Sequence, residues 1–435
     1  MTIQRALTLA AAALLLASPA SAQANPSAAA VGLGNAFTAA ARGADAIAWN
    51  PAGLALTGTG GFSFNILPLN LQGGLGPITG KDLKPFSGDS VPFAVRQQWL
   101  QRITDAGGQL LGGSGDVSLI AMNIKRLGFS LSTAARLNGN IPPDAAELLL
   151  FGNRGRTGSP QAFNLAGARA EASSISTAAV SFGQELNVRI GGADNQRFAI
   201  GITAKYIFGN LLALGRDAGS SLSATPIAVG LQALMILSDT STTGFNPLTS
   251  RGSGVGADIG IAWEGGPFKF GVAVKDVVNT FKWNPETFYA RTTQVTFNGT
   301  TRVQNTGPFV PLSSLPDSVR RPVLDDINGL TIKPTLAIGG SWDLFSRLTV
   351  SGEYAARLGD GLTLSPKSRL SAGVQLKLIP LIPLRAGYMQ LKDATFVTLG
   401  AGLHFGPVFG IDVAGGLNTK SSGDGLVALT MRIGR

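Results

Sequence analysis

Apolar and small or charged residues alternate along much of the chain. Between Ala257 and Glu264, Ala257, Ile259, Ile261 and Trp263 fall on one face and Asp258, Gly260, Ala262 and Glu264 on the other. After Gly265-Gly266 the same order returns, with Phe268, Phe270, Val272 and Val274 set against Lys269, Gly271, Ala273 and Lys275. Leu370 to Leu378 and Val397 to Phe405 repeat it. A period of two is the mark of a β-strand with two unlike faces. The pattern predicts about fourteen strands: 59–71, 114–125, 126–137, 172–186, 196–209, 252–264, 267–280, 331–343, 346–357, 368–379, 382–391, 394–406, 408–417 and 423–434. Every second connection is short. The others include four long ones, 72–113, 138–171, 210–251 and 281–330. Short turns at one end and long loops at the other are the asymmetry of a transmembrane barrel, with the termini on the short-turn, periplasmic side. Soluble sandwiches also alternate, but their polar face is rarely so rich in Gly and Ala. Small residues with isolated charges suggest an interior filled by something inserted.

Composition supports the same class. Lys, Arg, Asp and Glu make up only 14% of the 435 residues, against ~25% in ordinary soluble domains. There are 58 Gly and no Cys, so disulfides, thiolate metal sites and cysteine nucleophiles are excluded. Residues 1–22 have Arg5, an apolar run from Ala6 to Ala17 and the small-x-small end Ala20-Ser21-Ala22, which predicts a cleaved signal peptide. Beyond Ala22 no stretch approaches the ~18 apolar residues of a spanning helix. An exported, Gly-rich chain of this kind fits a closed β-barrel in the outer membrane, where strands satisfy one another's backbone groups.

Residues 23–58 do not alternate. They run Ala-rich from Ala28 to Arg42, break at Gly43, and pass through Asp45, a candidate helix cap, to Trp49-Asn50-Pro51-Ala52-Gly53. Pro51 favours an extended Asn50 and ends the helix. This element is small enough to sit inside the barrel, giving a hatch at 23–58 and a barrel at 59–435. Gly32-Leu33-Gly34-Asn35-Ala36-Phe37, then Ala44-Asp45-Ala46, then Asn50-Pro51-Ala52-Gly53-Leu54 resembles the N-terminal hatch of FadL-type outer-membrane transporters and their PorV-like relatives. The resemblance implies an all-β fold, a fourteen-stranded antiparallel barrel with a small helical hatch in the lumen and long extracellular loops. It also implies uptake of hydrophobic, long-chain fatty acid-like molecules. Two features depart from the family: the chain ends in Arg435 where an aromatic residue is usual, and one acid, Asp45, stands where a pair is common.

The long loops carry apolar residues at helical spacing: Val95, Trp99, Leu100 and Ile103 in the first, and Ile227, Leu231, Leu234 and Met235 in the third, with Leu211, Leu212 and Leu214 nearby. Two readings are open. These residues form a hydrophobic collecting groove above the barrel, or they pack on one another and cap it. Lys205, Asp258, Lys269, Arg347, Glu353, Arg369 and Asp412 are expected to face the lumen and hold the hatch through ion pairs. His404 is the only His and no G-x-S-x-G precedes it, so neither catalysis nor metal binding is expected, and no cofactor is needed. The formal charge of +10 is scattered among acids without an aromatic platform, which favours contact with lipopolysaccharide phosphates over nucleic acid. The expected partners are outer-membrane lipid and lipopolysaccharide and a hydrophobic small-molecule substrate. The alternatives are a PorV-like barrel that holds a secreted cargo protein, and a structural or general porin.

Overall fold

The computed structural model describes residues 26–434 except 57–60, 153–155, 160–161, 166, 189–194, 224–227, 239–249, 298–301, 363, 380, 393, 407 and 421–423. The expected signal peptide and Ile227 lie outside the described residues.

Fourteen strands form the wall: β1 Phe62–Gly76, β2 Gln109–Ile124, β3 Leu127–Ile141, β4 Arg169–Leu186, β5 Arg197–Asp217, β6 Gly252–Gly265 and β7 Phe268–Asn279. They continue as β8 Thr335–Phe345, β9 Leu348–Arg357, β10 Ser368–Ile379, β11 Ile382–Leu391, β12 Thr395–Phe405, β13 Phe409–Asn418 and β14 Gly425–Gly434. Each pairs antiparallel with its neighbours in sequence, and β14 closes on β1 from Ser63↔Gly434 to Gly73↔Gly425. Closure leaves no edge, as a chain in lipid requires. The alternation sets the two faces. Ile259 and Ile261 are exposed on the outside while Asp258 and Ala262 are buried within, and Leu370, Val374, Val397 and Leu399 continue the outer apolar belt. No described helix is long and apolar enough to cross a membrane; the strands are what cross it.

The strands reach further outward than alternation alone indicated. β2 begins at Gln109, β3 ends at Ile141 and β5 runs on to Asp217. Above the wall, α3 Phe93–Asp105 and α4 Pro143–Phe151, from the first two long loops, pack together through Trp99, Leu100, Ile103 and Ala146. The third and fourth loops build a second core over the mouth. Leu212, Leu234, Ile236, Phe281, Trp283 and Phe288 meet Val323 and Ile327 of helix α5 Asp317–Gly329 there. The three loops between β9 and β14 are short, so this superstructure rises over the first half of the barrel only.

The third loop corrects the helical expectation. Residues Ala228–Leu237 are a strand, paired with Ala213–Asp217 of β5 and with Tyr289–Phe297. The i, i+4, i+7 spacing was therefore incidental, and the apolar run is bounded by strand partners supplied from residues far away in sequence.

Candidate functional site: the hatch and the lumen around it

Residues 26–56 fill the lower lumen. Helix α1 Ala28–Gly32 lies against β11 to β14, and Ala28 N–H donates to Thr430 Oγ1 at 2.9 Å. The chain turns at Gly34, whose φ of 62° and approach to the Tyr388 backbone leave no room for a side chain, conditions that only Gly meets without strain. Helix α2 Ala44–Trp49 follows, then Asn50 in an extended conformation and a 3₁₀ turn at Pro51–Leu54. Asp45 caps nothing; Gly43 holds that position, and Asp45 instead accepts from Asn65 Nδ2 at 2.9 Å.

The Asn50 side chain explains the Asn-Pro-Ala segment. Its Oδ1 accepts from Ala52 N–H at 3.1 Å, while Nδ2 donates to the carbonyls of Ile261 at 3.0 Å and Thr38 at 3.3 Å. One buried amide thus ties the 3₁₀ turn, the upstream hatch and strand β6 together, and leaves its own polar atoms satisfied. Pro51 occupies the first position of that turn, where its missing N–H costs nothing.

The wall is cut to receive this element. Gly128, Gly183, Gly201, Gly260, Gly271, Gly339, Gly373, Gly387 and Gly400 come from β3 to β8 and β10 to β12, and each faces the hatch. A methyl at Gly183 would lie 2.8 Å from Ala55 N, and one at Gly271 2.8 Å from Thr38 O; at Gly201 and Gly260 it would overlap Ala52 N and Asn50 Oδ1. The small inward residues read from the sequence are sockets for the hatch, for its backbone at Gly183, Gly201 and Gly387 and for side chains at Gly128 and Gly260.

The expected lumen charges divide by position. Glu353 Oε2 accepts from the N–H groups of Phe37 at 2.9 Å and Thr38 at 2.7 Å, and its Oε1 takes Arg369, which also reaches the Asn35 carbonyl. Arg369 and Lys275 stand over the Trp49 ring at 5.7 and 5.1 Å from its centroid, within cation–π range. Lys205 binds Asp258 at 2.6 Å and Asp276 at 2.5 Å in the cavity wall above the hatch. Asp412 pairs with Arg385 at 2.6 Å and with His404 at 3.1 Å. Lys269 pairs with Asp343 at 2.9 Å, and Arg347 is exposed at a periplasmic turn. So Glu353 and Arg369 touch the hatch directly, whereas Lys205 and Asp258 pair across the wall, Asp412 pairs with Arg385 and His404, and Lys269 and Arg347 lie near the rim.

The apolar loop residues also divide. Trp99, Leu100 and Ile103 are buried against α4, with Val95 beside them. Leu212 and Leu234 are buried in the core over the mouth, with Leu214 packed on it, whereas Leu211 is half-buried and Met235 exposed. Leu231 lies in the strand Ala228–Leu237. The buried residues among those expected to line one groove therefore belong to two separate cores.

Between that upper core and the hatch lies a cavity of about 80 Å³. Ile47 and Ala48 of α2 contribute to its floor, Thr203, Lys205 and Asp258 to its waist, and Ile175, Ile207 and Leu362 to its apolar roof. Beside it the wall is interrupted. The β1–β2 ladder stops at Asn65↔Ala121 and resumes at Leu69↔Val117. Leu67 has a φ of 41° and Pro68 has no N–H to donate. Opposite, β2 shifts register against β3 between Ser118 and Ile120. A smaller cavity of about 20 Å³ lies behind this break, lined by Asp45, Trp49, Asn65, Pro68 and Ser118. Pro68 within an alternating run was the available signal for it.

A closed fourteen-stranded wall, an apolar outer belt and an inlaid N-terminal segment define an outer-membrane β-barrel plugged by its own hatch. The chain belongs to a family of unknown function (DUF5723), whose model matches residues 84–412. No curated protein matches it in sequence. Among solved structures it is similar to the Ralstonia pickettii toluene transporter TbuX, with 13% identity, a TM-score of 0.49 and 92% of this chain and 97% of that one covered. It is also similar to the P. putida toluene transporter TodX, at 11% identity and a TM-score of 0.48 over 90% and 94% of the two chains. A Pseudomonas aeruginosa FadL homologue is similar at 14% identity and a TM-score of 0.43, over 96% and 99%.

Proposed function

We propose that the protein admits hydrophobic small molecules, of the long-chain fatty acid kind, across the outer membrane by passive diffusion gated by the hatch. The observation that carries this reading is the interrupted β1–β2 ladder beside the hatch. Among the described residues, the wall of a lumen closed above by an apolar core and below by the hatch has a place where three consecutive residues of each strand, 66–68 and 118–120, have no partner in the β1–β2 ladder, although Ile66 still pairs with β14 and Ser118 and Ile120 with β3. A molecule held under the apolar roof gains roughly 0.8 kcal/mol per methylene buried. It reaches lipid by a shift of α2 and the Asn50-Pro51 turn away from Asn65 and Pro68, which empties the sockets at Gly128, Gly201 and Gly260 but leaves those at Gly373, Gly387 and Gly400 filled by residues 32–34.

The exposed Phe93 and Leu149 on the outer helices, 48% and 74% accessible, favour a second reading in which those helices hold an exported cargo protein. Mass spectrometry of protein purified from outer membranes separates the two. A long apolar molecule retained by the native chain and lost when Leu362 is changed to Asp supports transport. An exported protein co-purifying without any such ligand, and lost on Leu149→Asp, supports cargo holding.

A further inference from the structure

The contacts on the periplasmic rim are of a different kind from the buried ones. Arg42, in the hatch between α1 and α2, reaches Glu264 Oε1 at the lower end of β6 and braces itself on the carbonyls of Ala39 at 3.0 Å and Ala41 at 2.7 Å. The other oxygen of Glu264 faces Arg197 Nη1 of β5 at 3.9 Å. Arg197 in turn donates to the carbonyls of Ala55 at 3.1 Å and Leu56 at 3.4 Å, where the hatch ends, and is held by Glu185 at 3.0 Å. Glu264 therefore links the middle of the hatch to its exit through two guanidinium groups. Glu353 and Arg369 are sealed in the lumen, but the side chains of Arg42, Glu264, Arg197 and Glu185 are 22%, 21%, 33% and 30% accessible. This is the part of the hatch's attachment that periplasmic solvent reaches.

We propose that Glu264 is a gating residue. Shared by Arg42 and Arg197, its carboxylate forms an electrostatic clasp that keeps the hatch shut from the periplasmic side, and the hatch yields when the clasp opens. The inference rests on the hatch-gated reading above and adds which contact yields and from which side. Neither arginine can relinquish its charge, so release comes from competition: periplasmic ions, or an anionic group arriving at Arg42 or Arg197, take the place of Glu264. A part-buried pair that solvent reaches is weakened by salt, while the sealed Glu353–Arg369 contact is screened far less.

The chain has no Cys, so a single Ala48→Cys placed on the hatch floor of the main cavity reports its opening to a small charged thiol reagent. In lipid nanodiscs, Glu264→Gln is expected to speed labelling of that Cys about ten- to a hundredfold, the range that loss of one charged hydrogen bond gives. Arg42→Gln should act likewise, whereas Arg42→Lys, which keeps the positive charge facing Glu264, should label nearly as slowly as the native chain. Added salt should accelerate labelling of the native clasp and leave Glu264→Gln unchanged, a response that a merely structural glutamate would not produce. Unchanged labelling in Glu264→Gln, with faster labelling when Asn50 and Pro51 are both changed to Gly, would overturn the clasp and leave the gated hatch standing. Slow labelling in all of these variants would overturn both.

Discussion

Gly201 and Gly260 show what a single missing methyl does here. Each lies where the hatch touches the wall, and the space that Cβ would fill is already taken by the Ala52 backbone or the Asn50 side chain. Changing either to Ala is expected to cost about 1–3 kcal/mol, the usual penalty of overpacking, read as a lower midpoint in urea unfolding from lipid vesicles. Gly80, with nothing within 4 Å, is the control and should be neutral. A second residue-scale expectation concerns Asp82 in the first outer loop. Hydrogen bonds from Arg102 hold its carboxyl at about 2, below the usual value of ~3.9. Because the folded value is depressed, the pair's contribution is complete above the ordinary value and is lost as pH falls through about 2. Carboxyl NMR should show the Asp82 midpoint rising toward ~3.9 in Arg102→Gln, and an unmoved midpoint would mean that the Thr79 contacts dominate.

Among elements, β1 and the α3–α4 pair behave in opposite ways. Pro68 interrupts a strand that must cross the membrane, and its replacement by Val returns the missing N–H. The expected outcome is slower hydrogen exchange around 66–68 and reduced uptake of a long-chain substrate; unchanged uptake would place the exit elsewhere. The α3–α4 pair closes on its own core, so Trp99→Ala, at about 3–5 kcal/mol, should expose the first outer loop to protease while the strands of the barrel stay protected. All fourteen wall strands were legible because lipid and lumen impose opposite demands on alternate residues. The strand at 228–237 was not, since an apolar run has no visible partner until residues 289–297 fold back beside it. Trp49 to Gly53 was legible as a motif. The clasp was not, because Arg42, Arg197 and Glu264 meet only when β5 and β6 stand next to the hatch, and nothing in their spacing signals that.

At the scale of the whole molecule, the hatch accounts for the low charge and high glycine content together: much of the inner wall is a mould for another part of the same chain. Removing residues 26–56 should therefore leave a wide, smooth-walled barrel. In planar bilayers that variant is expected to pass a steady ionic current where the intact protein passes almost none, and equal currents would mean that the upper core alone is the seal.

The sockets have a further implication for how the molecule is made. The hatch precedes β1 in the chain, yet it ends up encircled by strands that extend to the far terminus, with β14 closing the ring against β1. A wall that closes on a seated hatch would use it much as a cooper uses a form on which to set staves. A chain whose hatch is damaged would then fail at the final strand pairing, late in assembly, so that quality is checked at the moment of closure.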